Sequence, residues 1–398
     1  MKLVLIITDY GSFNNFLSEL ACQLISADIE LHIICSKERV INITDKEAFD
    51  NQKITFHFVN IPRNISISQE LKAAKAIRNV IDIIQPDLAH IHFTTAAFPA
   101  LIFKKSNVPY WATFHGLGMN SSSGLKKLIF SFVEMFSFMR LKKIFTVNNK
   151  DTALAQWVFS SKVQKYNCFG FGCDISQFDK KRFEDQIQAE RQKYNISPDD
   201  FVIAYTGRFV SFKGFHLVIK SFKVMEGLFG DKVKLILIGG NDPIHSSGLD
   251  EVENKFLSSS KNIINIGYTR EVARYLALSN LFLFPSLKEG LPTCILEALS
   301  MGIPVVTFDA RGNNDVVQNN YNGVLIKSDK SATTNVNNIV GAIRSLMLKP
   351  DEYKRLSQNA LGGRKLYSRQ RFIDQQLQYY EEFEADKTDQ LILIKDNQ

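Results

Sequence analysis

The stretch LFLFPSLKEGLPTCILEALSMGIPVVTF (281–308) decides the fold class. It opens on an apolar run, turns through a polar loop at 286–290, enters a helical pattern with Pro292 in its first turn, and returns to a second apolar run at 303–308. Pro suits a first helical turn because its missing N–H has no intrahelical partner there. Strand, loop, helix and strand in that order make a βαβ unit. Uninterrupted apolar strands of this kind belong to a parallel sheet covered on both faces.

The alternation extends in both directions. Upstream lie FVIAYTG (201–207), a helix from about 214, VKLILIGG (233–240) and NIINIG (262–267). The first half repeats the scheme with KLVLIIT (2–8), ELHIIC (30–35), ITFHFV (54–59), LAHIHF (88–93), PYWATF (109–114) and KIFTV (143–147). Helical patterns separate these runs. One is FNNFLSELACQLISA (13–27), with Phe13, Phe16, Leu17, Leu20 and Leu24 on one stripe. The charged segment 177–200 interrupts the pattern. The sequence therefore predicts an α/β protein of two doubly wound parallel-sheet, Rossmann-like domains facing across a cleft. Their expected bounds are 1–175 and 201–365, with a linker at 176–200 and a closing helix in 366–398 returning to the first domain.

Composition sets the outer limits. The 398 residues are 45% hydrophobic and 22% charged, ordinary for a globular chain of two domains. The formal charge of +7 is concentrated early: residues 1–170 hold 19 Lys/Arg against 13 Asp/Glu. That bias suits an acidic partner, yet no dense basic run marks a nucleic-acid binder. Five cysteines without a CxxC pair read as reduced thiols, with Cys22 and Cys35 expected in the core. No signal-peptide pattern or uncharged apolar stretch long enough to span a bilayer is present, so a cytoplasmic protein is expected. No G-x-G-x-x-G follows the first strand, which argues against a dinucleotide oxidoreductase.

In open α/β sheets, ligands bind where strands end at their carboxyl side. After 201–207 comes GRFVSFKG (207–214), whose Arg208 and Lys213 stand before a helix start and suit a diphosphate, although on this segment alone a solvated turn is the plainer reading. In the opening stretch, Gly290 allows close backbone approach, and the amides of Leu291, Thr293 and Cys294 belong to a helix start that can face an anion. Glu289 lies just before that helix and Glu297 about a turn and a half inside. Two acids around an anion site fit a ligand with hydroxyls on both sides of its phosphates. The plainer reading of Glu289 is an acid favoured by the helix dipole. His115-Gly116 follows another strand. His90 and His92 alternate along a buried strand without a third metal ligand nearby in sequence, and no metal site is expected. Gly239, in GGNDP, and Asn313, in ARGNNDVV, sit in further polar strand-end loops.

Taken together these loops resemble the retaining glycosyltransferases of family 4, with the two-domain GT-B fold. The match rests on the Glu289–Glu297 spacing, GRFVSFKG, FGCDISQF (171–178), TFHG (113–116) and NNYNGVLI (319–326). RGNND (311–315) is similar to an element of enzymes that build bacterial capsule, O-antigen and exopolysaccharide. The resemblance implies a nucleotide-diphosphate sugar donor, UDP-linked, and a lipid-linked glycan acceptor, with no cofactor and no metal. It implies that Glu289 and His115 contact the donor sugar, Glu297 the ribose, and Arg208 and Lys213 the diphosphate. It also implies same-face attack, with the leaving phosphate accepting the acceptor's proton. Two departures stand out. The family's Gly-Gly loop after the first strand is reduced to Gly11-Ser12, the expected donor contacts there, and Asn314 stands where the subgroup often has Arg. A sugar-nucleotide epimerase and a catalytically silent sugar-nucleotide binder are the alternatives. The aromatic run with basic flanks at 124–143 is expected to divide between core packing and peripheral contact with the inner face of the cytoplasmic membrane.

Overall fold

Residues 2–9 form an apolar run in which every residue from Leu3 to Asp9 is buried, so both faces of this strand must be covered. In the computed structural model, which describes residues 1–37, 54–63 and 66–396 with side chains to residue 389, that run is the centre of the first sheet. The chain clusters into two units: Met1–Phe171 with Gln370–Gln398, and Gly172–Arg369. The helix Glu184–Lys193, within the charged segment, belongs to the second unit.

The first unit contains strands β1 (Lys2–Asp9), β2 (Glu30–Ser36), β3 (Ile54–Phe58), β4 (Leu88–His92), β5 (Tyr110–Phe114), β6 (Lys143–Thr146) and β7 (Val163–Lys165). Among the described residues they form one seven-stranded parallel sheet in the order β3-β2-β1-β4-β5-β6-β7. The order reverses between β1 and β4. Loops leaving those two strands diverge to opposite faces and open a crevice. The stripe expected over 13–27 is present, with Phe13, Leu17, Leu20 and Leu24 buried, each burial stabilising by roughly 1.5–3 kcal/mol. It is carried on two helices rather than one, Tyr10–Phe16 and Ser18–Ser26. The first begins at Asp9, whose side chain accepts from the Ser12 amide. Cys22, expected inside, is exposed, because it lies on the helix face opposite Leu20 and Leu24; Cys35 is buried as expected.

The helix Arg369–Asp396 covers the first sheet. Tyr380 stacks on Trp111 with ring centres 5.9 Å apart, and Phe383 meets the same indole edge-on at 5.5 Å. These two aromatics bury a large apolar area where Trp111 itself is fully enclosed.

The second unit contains β8 (Phe201–Thr206), β9 (Val233–Ile238), β10 (Ile263–Gly267), β11 (Leu281–Phe284), β12 (Val305–Phe308) and β13 (Gly323–Ile326). Their order is β10-β9-β8-β11-β12-β13, all parallel. Here the reversal falls between β8 and β11, so the crevice of this sheet lies between GRFVSFKG and SLKEG. Among the described residues no helix is long and apolar enough to cross a membrane.

Candidate active site

The loops leaving β8 and β11 are locked together by backbone. Gly214 has φ +76°, and a Cβ there would lie 2.1 Å from the Pro285 carbonyl oxygen. Only glycine allows that approach. It brings the Lys213 ammonium to 2.8 Å from Glu289 Oε1, with the two side chains 18% and 13% exposed. Ser286 Oγ donates to the same carboxylate oxygen at 2.8 Å. Lys213 also lies over the Phe284 ring, 5.2 Å from its centre. The pair is thus held from three sides at the switch point, shielded enough for its electrostatics to outweigh those of a surface ion pair.

Downstream, no side chain caps the helix Thr293–Ser300, which Pro292 precedes. Leu291 and Thr293 are half-buried beside that proline, and Gly290 is packed from the far side, where a Cβ on Gly312 would lie 2.6 Å from its carbonyl oxygen. Asn313 is fully buried and its amide donates to the carbonyls of Ser286 (2.8 Å) and Phe308 (3.2 Å). It therefore ties the loop after β12 to the loop carrying Glu289. Gly239 leaves β9 with its amide bonded to the Gly267 carbonyl at 2.8 Å.

Electrostatics place the remaining groups. Burial raises the Cys294 thiol well above its ordinary value, and Lys213, Glu289 and Glu297 all act on it. Burial likewise raises the Tyr205 hydroxyl, which feels Glu289 and Arg208. Lys213, Glu289 and Glu297 therefore lie near Cys294 at the start of the helix Thr293–Ser300, and Tyr205 Oη donates to the Arg208 carbonyl at 2.9 Å. Burial also pushes the Glu297 carboxyl up to about 7, opposed by the charge of Arg369. Arg208 is more exposed and pairs with Asp242, lying over the Phe212 ring at 5.5 Å. Backbone amides, that guanidinium and His245 hold Asp242 well below the ordinary carboxylate range. Asn314 bonds Asp309 at 2.8 Å on the surface.

In the first unit, His115 follows β5. Its Nε2 lies 3.2 Å from His92 Nδ1, and its ring stacks on Phe171 with centres 3.9 Å apart. Burial, and after it the neighbouring His92, holds His115 well below the usual imidazole range, so the ring is neutral at physiological pH. His90 and His92 are fully buried and serve packing and hydrogen bonding: His90 bonds Tyr380 (2.6 Å) and Thr113 (2.9 Å). Among the described residues no group of three or more His, Cys, Asp and Glu could hold a metal ion. Gly11 and Ser12 lie inside the helix Tyr10–Phe16, where the Ser12 amide and hydroxyl are both bonded to Asp9 (2.9 and 3.1 Å). Arg63 also pairs with the buried Asp9.

Two family descriptions match the chain. Residues 4–149 match "Glycosyl transferase 4-like" and residues 186–362 match "Glycosyl transferases group 1". The chain belongs to the family 4-like glycosyltransferases. The transferase is 25% identical over 308 residues to the capsular polysaccharide biosynthesis glycosyltransferase CapM of Staphylococcus aureus, covering 75% of this chain and 77% of that protein. It is 23% identical over 316 residues to the UDP-Gal:alpha-D-GlcNAc-diphosphoundecaprenol alpha-1,3-galactosyltransferase of Escherichia coli, covering 75% and 79%. Its fold is GT-B. Anabaena HepE, solved in complex with UDP, superposes with a TM-score of 0.75 over 96% of the transferase and all of that chain, at 15% identity.

Three positioning groups escaped sequence reasoning: Asp9, Glu134 and Asp151. Glu134 is fully buried and accepts from the amides of Gly118 (2.6 Å) and Met119 (3.0 Å) and from Thr94 Oγ1 (2.9 Å). Asp151 accepts from the Leu117 amide (2.8 Å) and from Asn120 and Asn148. Together they bind three consecutive amides just past His115. The available signal was a lone acid amid the apolar run FSFVEMFSF (130–138), which can be buried only if its oxygens are bonded.

Proposed function

We propose that this transferase moves a sugar from a UDP-linked donor to a lipid-linked glycan acceptor in bacterial surface-polysaccharide biosynthesis, retaining the anomeric configuration. The observation that carries the reading is the Lys213–Glu289 pair at the switch point of the second sheet, beside an uncapped helix start. The UDP donor and diphospholipid acceptor named for the Escherichia coli relative support the choice of substrates. In this reading Lys213 and Arg208 neutralise the departing diphosphate, Glu289 holds donor hydroxyls, and Glu297 binds the ribose. His115 is assigned to the transferred sugar, and the leaving phosphate takes the acceptor's proton. Fixed charges aimed at a developing anion lower the barrier without reorganising during the reaction. Because the two cations are supplied by side chains, activity is expected to survive EDTA.

Incubation with a panel of UDP-sugars, with and without a polyprenyl-diphosphate-linked sugar, tests the proposal. Acceptor-dependent formation of a glycoside with the donor's anomeric configuration is expected. An epimerised donor formed without acceptor points instead to an epimerase, and an inverted product removes the retaining mechanism.

The raised carboxyl of Glu297 gives a pH dependence. The ionised form accepts hydrogen bonds from both ribose hydroxyls, and at pH 6 only about one-tenth of a group titrating near 7 is ionised. If only that form binds well, the donor KM falls about tenfold between about pH 6 and pH 8. The nucleotide sugar's diphosphate does not titrate in this window. Steady-state kinetics of Glu297→Gln should show a raised KM without that slope; an unchanged slope would assign the titration elsewhere.

Peripheral membrane contact belongs to the same reading. On the helix Gly124–Arg140, Val133, Glu134, Ser137 and Phe138 face inward, while Leu125, Leu128, Phe132 and Met139 are exposed on one stripe. An apolar outer stripe with basic neighbours suits the anionic inner leaflet, where lipid-linked acceptors reside.

A further inference from the structure

At the other end of the first sheet lies a cavity of about 730 Å³. Its walls are the segments entering β4, β5, β6 and β7, so it opens where the parallel strands begin. His115 follows the far end of β5, roughly 15 Å along the strand from Tyr110, which lines the cavity. The cavity is therefore separate from the residues assigned to sugar transfer; the inference rests on the membrane contact proposed above and extends it to a defined phosphate site.

The walls carry six cations against two carboxylates, Asp87 and Asp386. Two of the cations are matched: Lys387 pairs with Asp87, and Lys105 with Asp82 at 3.3 Å. Lys104, Arg140, Lys142 and Lys162 have no carboxylate partner among the described residues. Instead Lys104 Nζ donates to the Arg140 carbonyl (2.9 Å) and Lys162 Nζ to the Met139 carbonyl (3.1 Å), so both ammonium groups converge on the end of the helix Gly124–Arg140. Partial burial lowers the Lys104 ammonium from its ordinary value, and the charges of Arg140 and Lys162 lower it further. Four unmatched cations against the single remaining carboxylate, Asp386, leave an excess of positive charge, and a bound anion relieves their repulsion.

We propose that this cavity is a binding site for a phosphate-bearing anion, held by Lys104, Arg140, Lys142 and Lys162. A divalent phosphate would meet several cations at once, and the volume lies within the range of small-ligand sites. Exposed Met139 also lines the cavity and continues the apolar stripe of Leu125, Leu128 and Phe132. The arrangement favours the headgroup of an anionic lipid, with the stripe lying against the acyl boundary. A free phosphate shares the chemistry and is separated by experiment.

The full chain is tested by sedimentation with phosphatidylcholine vesicles and with vesicles containing about one-third phosphatidylglycerol, and by thermal shift with inorganic phosphate and pyrophosphate. Wild type is expected to prefer the anionic vesicles, and Lys104→Glu/Lys162→Glu to weaken that binding by about tenfold or more. Phe132→Ser should weaken vesicle binding while leaving any phosphate-induced shift intact. If the double variant abolishes a shift caused by free phosphate and wild type shows no preference for phosphatidylglycerol, the site holds but its ligand is a soluble phosphate. Unaltered vesicle binding and unaltered phosphate response in the double variant overturn the proposal. Lys104→Gln/Lys162→Gln, which removes charge without reversing it, keeps the test valid should the glutamate variant fail to fold. None of these residues belongs to the assigned transfer site, so loss of binding with retained sugar transfer separates this inference from the transferase reading.

Discussion

Replacing Lys213 with alanine should lower kcat by about 10²- to 10³-fold, the loss typical of removing one preorganised charge from a developing anion. The expectation rests on what the ammonium does in the resting site. It is 2.8 Å from Glu289 Oε1 and shares that oxygen with Ser286. Without it, a half-enclosed carboxylate stands uncompensated where, in the proposed reading, the diphosphate departs. The variant therefore loses an attraction and gains a repulsion. Lys213→Arg should recover only part of the rate, because a planar guanidinium cannot occupy a point-charge position over Phe284 with the same contacts. Glu289→Ala provides the complementary arm: in the proposed reading it leaves Lys213 free for the diphosphate and loses the sugar contact. Initial rates of sugar transfer at saturating donor decide the matter. A kcat for Lys213→Ala within about threefold of wild type would reduce the pair to a structural ion pair.

The second large effect is expected on stability. Glu134→Ala should destabilise the chain by roughly 3–5 kcal/mol, since it strands buried donors that the carboxylate now satisfies. Those donors are the amides of Gly118 and Met119 and the hydroxyl of Thr94. Glu134→Gln retains an acceptor oxygen and should cost distinctly less. Denaturant titration, with Trp111 fluorescence reporting on the first unit, measures both. A loss below about 1 kcal/mol for Glu134→Ala would mean that water or a neighbouring group replaces the carboxylate.

The two sheets were legible because unbroken apolar strands and intervening amphipathic helices leave few alternatives. Lys213 and Glu289 were legible as candidates for the same reason: a residue just past a buried strand lies at the sheet's carboxyl end. That they touch depends on strand order, which sets β8 beside β11 and which periodicity does not encode. Arg208 read as a diphosphate ligand or part of a solvated turn, yet Asp242, over 30 residues away, sits against it. Cys22 read as core because its neighbours are apolar; two residues from both Leu20 and Leu24, it lies on the opposite face of the helix Ser18–Ser26 and is exposed. Glu134 and Asp151 were invisible because their partners are backbone amides, which no residue pattern announces.

The last helix of the chain completes the first unit. Tyr380 supplies a partner for His90 and, with Phe383, closes over Trp111, although nearly two hundred residues of the second unit are made between. On the ribosome the order of completion is thus reversed: the half synthesised first stays open on one side until Tyr380 and Phe383 have been added. A stop codon just before residue 369 would spare the second sheet and strip the first.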